Sequence, residues 1–236
     1  TQEKIKAESE MERMRANLLR AVSHDLRTPL TSIYGSTSAV IENYDNLSKE
    51  QNLKLLGDVQ KDSQWLIHMV ENLLSVTRID SSKVSLSKTM VVLEELIDSV
   101  LVKFKKRCPE QEVIVEIPDD FVSIPMDPIL IEQVLLNILE NAVSYNKTNG
   151  KIRIHVKKDS CTIENTADAI NEDDLTHVYD MFFTSNKSRK KDVNHKGLGL
   201  YLAKRILDMH KLNLIIENTQ LGVKATIQTG NYRKSG

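Results

Sequence analysis

Ser23-His24-Asp25-Leu26-Arg27-Thr28-Pro29-Leu30 sets an imidazole, a neighbouring carboxylate, a hydroxyl one helical turn on and a proline into a stretch that is otherwise helical. The flanks, residues 11–19 and 31–34, contain neither glycine nor proline and carry the helix onward on both sides. Pro29 brings no backbone donor and crowds the carbonyl of Asp25, so a bend is expected beside His24. Thr28 lies four residues after His24 and shares its face. A lone histidine on a bent amphipathic helix is usually a surface residue. Here the chemistry around it is that of an activated nucleophile: a carboxylate beside a neutral imidazole fixes its tautomer and raises its basicity.

The first 80 residues hold no glycine except Gly35 and Gly57 and no proline except Pro29. Two long helices are predicted, over residues 2–44 and 49–79, with Ser48 as the N-cap of the second. In the second, Leu55, Val59, Leu66, Met69, Val70, Leu73 and Leu74 recur at steps of three and four. A helical hairpin alone cannot bury such stripes, whereas two hairpins form a four-helix bundle. The patterning therefore predicts an all-α hairpin, residues 1–82, that assembles as a homodimer.

From Asp80-Ser81-Ser82-Lys83 the texture changes to mixed helix and strand. Helices are expected over 93–107, 128–145 and 200–209, the middle one opened by Asp127 as N-cap and Pro128 at the first position. Strands are expected over 113–117, 151–157, 161–165, 213–217 and 223–228. Residues 83–236 thus read as an α+β sandwich, helices on one face of a mixed sheet.

Composition narrows the function classes. A net charge of -1 and 5% aromatic residues give no support to nucleic-acid binding. Cys108 and Cys161 are too few for a disulfide framework or a metal cluster. No run of about 18 apolar residues is present, so no membrane contact is expected within the chain, and no signal peptide is visible. The chain opens in mid-helix and is expected to be a piece of a longer protein.

The octet resembles the H-box of sensor histidine kinases, the ATP-dependent enzymes of two-component signalling. The resemblance implies that His24 is the phospho-acceptor and that Asp25 is the base polarising the far ring nitrogen. Thr28 would orient the water that dephosphorylates the partner, a response-regulator receiver domain. Gln133 through Ala142 resembles the N-box. Asn137, Asn141 and Ser144 fall on one polar stripe, and Ile131, Leu135, Ile138 and Ala142 on the buried one. Asparagine is a poor helix-interior residue, so two at i and i+4 call for a reason. Carboxamides suit a hydrated Mg²⁺ beside phosphates. The resemblance implies Asn137 as the Mg²⁺ ligand and Asn141 as a phosphate or ribose neighbour. The family usually has lysine where Ser144 stands, and Lys147 is the candidate to supply that charge.

Lys196-Gly197-Leu198-Gly199-Leu200 resembles the second glycine box, in which backbone amides at a helix start approach phosphates. Phe182 and Phe183 resemble the F-box. The basic run after them reads as a lid over the phosphates, with Lys187 and Arg189 as the phosphate-binding cations. The first glycine box is altered: aligned on Ile170, the family aspartate becomes Asn165 and its two glycines become Ala167 and Ala169. Asn165 can accept from the adenine amino group, more weakly than a carboxylate does. By this reading an Asn165→Asp change would tighten ATP binding, and the alanines would resist positive φ.

The chain is identified as a member of this family: a dimeric four-helix-bundle hairpin followed by a GHKL (Bergerat) ATP-binding domain. Thr77 to Ser81, Leu93 to Leu96 and Pro125 to Pro128 look like the Kdp potassium-sensor kinases. The resemblance implies the cytoplasmic portion of a membrane-anchored sensor, autophosphorylating with ATP and Mg²⁺. The altered glycine box keeps a second class in view, a nucleotide-impaired phosphatase or docking scaffold. A third class, the GHKL ATPases of chaperone or mismatch-repair type, is disfavoured by the H-box.

Overall fold

Two helices open the chain, α1 (Gln2–Asn43) and α2 (Lys49–Asp80). The computed structural model describes residues 2–80, 86–118, 122–181, 183 and 197–229. α1 runs unbroken through Pro29. Two residues later the Thr31 hydroxyl donates back to Arg27 O at 2.8 Å, a contact that favours helix bending. α2 begins on a reciprocal capping box: Gln51 N–H donates to Ser48 Oγ at 3.1 Å and Ser48 N–H to Gln51 Oε1 at 2.8 Å. The chain divides into two compact units, Thr1–Leu74 and Ser75–Gly236.

The second unit is built on a five-stranded sheet in the order β2 (Val113–Glu116), β4 (Ile152–Lys157), β5 (Ser160–Asn165), β7 (Val223–Gln228), β6 (Asn213–Asn218). β2 runs parallel to β4, and the other neighbours are antiparallel. Alternation decides which face is covered. Ile152, Ile154 and Val156 of β4, Cys161 and Ile163 of β5, Ala225 and Ile227 of β7 and Leu214 of β6 are buried. They share one core with α3 (Leu93–Arg107), α4 (Pro128–Tyr145) and α6 (Gly199–His210). On the other face the register sets Arg153, Glu164, Lys224 and Glu217 in a row across four strands, so signs alternate. Lys224 Nζ lies 2.8 Å from Glu217 Oε1. A sheet with one apolar and one charge-alternating face can be covered on one side only.

A second, two-stranded sheet pairs β1 (Thr89–Val92) with β3 (Ser123–Met126), antiparallel. The sequence reading did not anticipate it. Both strands have four residues, and Pro125 reads as a strand breaker, although a proline is tolerated on an edge strand. A short helix, α5 (Glu172–Leu175), was also unforeseen.

Candidate functional site

In the first unit α1 presents His24 and Thr28 on its exposed surface. Asp25 is placed on the same helix by its backbone, and its side chain lies outside the described residues. Ser23, Leu26, Arg27, Leu30, Thr31 and Tyr34 border an open recess of about 430 Å³ along this stretch.

In the second unit the site is built from α4 and α6. Asp127 caps α4, its Oδ1 accepting from Leu130 N–H at 3.3 Å, and Pro128 takes the first turn, where no donor is needed. Along α4, Ile131, Leu135, Ile138 and Ala142 are buried, as their spacing predicts. Asn137 is buried beside them, and its Nδ2 donates to Gly199 O at 3.4 Å. A β-carbon placed on Gly199 would stand 3.6 Å from Asn141 Nδ2 and 3.7 Å from Asn137 Cβ. The two asparagines and the opening residue of α6 thus meet at one point. Gly197 has φ of 67°, which lets the chain turn into the helix there, and Leu198, the N-cap, is buried.

Ser144, Lys147 and Asn165 each have a partner in the structure. Ser144 Oγ donates to Glu140 O on its own helix at 2.8 Å. Lys147, the proposed substitute cation, lies 3.0 Å from Asp168 Oδ1 in an exposed ion pair. Asn165 is buried, and its Nδ2 donates to Ala142 O on α4 at 3.0 Å. Its amide therefore ties the end of β5 to α4, leaving Oδ1 as the acceptor. Ala167 and Ala169 do not have positive φ; among the described residues only Asn149, Lys211 and Gly197 do. The loop thus runs through both alanines without positive φ. Lys187 and Arg189, with Phe182, lie outside the described residues.

Several residues that hold this site escaped the sequence reading. Asn218 clasps the loop after β5, donating through Nδ2 to Ile170 O and accepting at Oδ1 from Ile170 N–H, both at 2.8 Å. Tyr179 covers the free edge of β6: its hydroxyl donates to Leu214 O at 3.0 Å and accepts from Ile216 N–H at 2.9 Å, and burial raises its pKa. His210, buried in the last turn of α6, accepts from Asp127 N–H at 3.0 Å and shares 2.8 Å with Ile206 O through Nδ1. No motif marks Asn218 or Tyr179, because a backbone clasp needs only one polar group at the right height. Cys161 is buried in the core, and burial pushes its thiol up to about 12.

Comparison with known proteins agrees with this geometry. Residues 14–82 match the His Kinase A (phospho-acceptor) domain, and residues 126–230 match the histidine kinase-, DNA gyrase B-, and HSP90-like ATPase family. The chain belongs to the sensor histidine kinase family. Sensor protein KdpD of Clostridium acetobutylicum is 36% identical over 213 residues, covering 89% of this chain and 24% of the relative. Sensor protein kinase WalK of Staphylococcus haemolyticus is 25% identical over 214 residues, 87% of this chain and 35% of the relative. The chain thus spans about a quarter of the first relative's length and about a third of the second's.

Solved structures share the fold. Histidine kinase AdeS of Acinetobacter baumannii superposes with a TM-score of 0.64 at 23% identity, over 88% of this chain and 98% of its own. Histidine kinase ThkA, solved with the response regulator protein TrrA, gives 0.69 at 22% identity, over 94% of this chain and 63% of its own. The ATPase match implies ATP binding, and the residues on α4 and α6 fit a nucleotide. Asn137 and Asn141 add no charge, and Gly199 leaves open the space a side chain would take. Among the described residues no helix is long and apolar enough to cross a membrane.

Proposed function

We propose that this chain is the catalytic portion of a sensor histidine kinase that phosphorylates His24 from ATP and passes the phosphoryl group to an aspartate of a response regulator. We take residues 1–82 as the dimerisation and phospho-acceptor domain and residues 83–236 as the ATP-binding domain. The reading is carried by the convergence of Asn137 and Asn141 with Gly199 at the start of α6, in a chain whose α1 exposes His24. Asn137, through its remaining carbonyl oxygen, is the residue to hold Mg²⁺, and bound Mg²⁺ would neutralise charge on the phosphates. Asn141 borders the phosphates or ribose, and the amides opening α6 after Gly197 receive phosphate oxygens. Asn165 Oδ1 accepts from the adenine amino group. Lys187 and Arg189 are proposed to supply the lid cations.

At the acceptor, the His24 ring nitrogen forms the bond to phosphorus as the bond to the leaving ADP oxygen breaks. Asp25 holds the proton on the far ring nitrogen. Thr28 orients water for the reverse duty, hydrolysis of the regulator's aspartyl phosphate. The partner class is supported by the ThkA–TrrA complex, and a role in potassium or osmotic signalling by the likeness to KdpD. We place the chain on the cytoplasmic side of a membrane-anchored sensor.

Incubation with radiolabelled ATP and Mg²⁺ is expected to put acid-labile, base-stable phosphate on the chain. His24→Gln should abolish it while nucleotide binding persists, and Thr28→Ala should spare it while slowing regulator dephosphorylation. Labelling that survives in His24→Gln overturns the assignment. A second reading, a phosphatase or docking scaffold with weak nucleotide binding, is favoured by the engagement of Ser144 with Glu140 and of Lys147 with Asp168. Calorimetric titration with a non-hydrolysable ATP analogue separates the two.

A further inference from the structure

His210 stands apart from every motif above, yet it joins the two helices that make the nucleotide site. It is the last residue of α6, and 1% of its surface is exposed. Nε2 accepts from Asp127 N–H at 3.0 Å, which requires that nitrogen to be unprotonated. Nδ1 lies 2.8 Å from Ile206 O, which can only accept, so this nitrogen carries the proton. Both ring nitrogens are thus committed, and the tautomer follows from the partners.

The placement matters because two contacts bracket the packed length of α4 against α6. At one, His210 closes the C-terminal end of α6 onto the residue capping α4. At the other, Gly199 at the start of α6 meets Asn137 and Asn141. Gly199 to His210 and Asp127 to Asn137 each span about 15–17 Å of helix. The two helices therefore run antiparallel, fixed at matched distances. Between these ends the two helices share one core, the path by which a displacement at His210 can reach Asn137.

We propose that His210 is a positioning residue of the nucleotide site: as a neutral Nδ1–H imidazole it holds α4 against α6 in the register that sets Gly199 beside Asn137 and Asn141, and its protonation releases that register. The inference rests on the nucleotide reading above for its ligand and on the hydrogen bonds alone for the clamp. A proton on Nε2 would face the Asp127 N–H, donor against donor, in a buried position. Burial is the main force keeping His210 below the usual histidine pKa, and the charge of Lys88 acts the same way; the Ile206 carbonyl and the Asp127 carboxylate oppose them. Because the folded value is depressed, the ring stays neutral and the clamp closed in the folded chain below the ordinary histidine range, and the stability it contributes is complete above about pH 6.5, the unfolded value. Stability is then lost as pH falls from there through the folded value.

The test follows binding of a non-hydrolysable ATP analogue with Mg²⁺ from pH 8 down to the lowest pH at which both chains keep their far-ultraviolet circular dichroism, wild type against His210→Gln. Glutamine offers one donor and one acceptor and does not titrate. The nucleotide's own protonation is common to both chains and cancels. The expected result is an additional loss of affinity of about fivefold or more in the wild type at the acid end, the scale of a modest coupling between sites. His210→Gln should lack this loss whatever its absolute affinity. Parallel pH profiles in the two chains overturn the proposal. If neither chain binds nucleotide at any pH, the nucleotide reading has failed, and the clamp is judged by imidazole ¹⁵N shifts. A neutral Nδ1–H ring persisting at pH 6 supports it, and an Nε2–H tautomer or ordinary titration near 6.5 overturns it.

Discussion

At Asn165 one amide distinguishes this chain from the family pattern, and its hydrogen bond changes what a family-like substitution should do. Sequence alone suggests that Asn165→Asp restores a stronger adenine acceptor. In the structure Asn165 Nδ2 donates to Ala142 O at 3.0 Å in a buried position. A carboxylate there has nothing to donate, and it would set a second oxygen against that carbonyl. Leaving a buried acceptor unpaired costs about 1–3 kcal/mol, more when a charge is involved. Asn165→Asp is therefore expected to lower stability by about 2 kcal/mol in urea denaturation, and to weaken rather than tighten binding of an ATP analogue. An unchanged denaturation midpoint with tighter binding would show that the carboxylate finds another donor.

Among the elements, the loop between β5 and α5 is where altered sequence and intact geometry meet. Ala167 is buried and Ala169 exposed, and neither has positive φ, so the two missing glycines leave no backbone strain. The loop is anchored instead by Asn218 on Ile170 and by Lys147 on Asp168. The glycine that matters lies in the turn between β6 and β7. A β-carbon on Gly222 would fall 2.1 Å from Asn165 O and 2.4 Å from Ala167 N, both backbone atoms that cannot step aside alone. Gly222→Ala should destabilise the fold by about 1–3 kcal/mol, as overpacking does; a thermal midpoint equal to wild type would mean that the turn yields freely.

α4, the one-sided alternation of β4 and the opening of α6 were legible because caps, periodicity and glycines are local signals, visible as Asp127, Pro128 and Gly197. The β1–β3 pair was not, because four-residue strands pair through partners more than thirty residues away. Among the candidate site residues, Asn137, Asn141 and Gly199 were singled out by their resemblance to the N-box and the second glycine box, and the structure brings these three together. The partners that fix Asn165, Ile170 and Asp127 come from distant segments, so neither Asn218 nor His210 had a sequence signal.

For the whole molecule, the first unit carries a surface that a single copy does not cover. On α2, Leu55, Val59, Leu66 and Leu73 are half-buried and Met69 is buried, one stripe at steps of three, four and seven. A second stripe, Leu53, Leu56, Ile67, Val70 and Leu74, is exposed, Ile67 at 58%. α1 repeats the pattern with Leu30, Tyr34 and Ile41, the last at 79%. Apolar rows at this spacing on two adjacent helices match the inner seams of a four-helix bundle, and exposed rows of this kind mark an interaction surface. Burying each large aliphatic side chain is worth about 1.5–3 kcal/mol, and two-fold symmetry counts each one twice. Ile67→Glu with Val70→Glu should therefore weaken self-association by about 100-fold or more, while helical content stays the same because both positions are exposed within one copy. Sedimentation velocity should give wild type at twice the 26.8 kDa chain mass and the variant at that mass. A wild-type chain that sediments as a monomer, or a variant that remains dimeric, would remove these stripes from the interface.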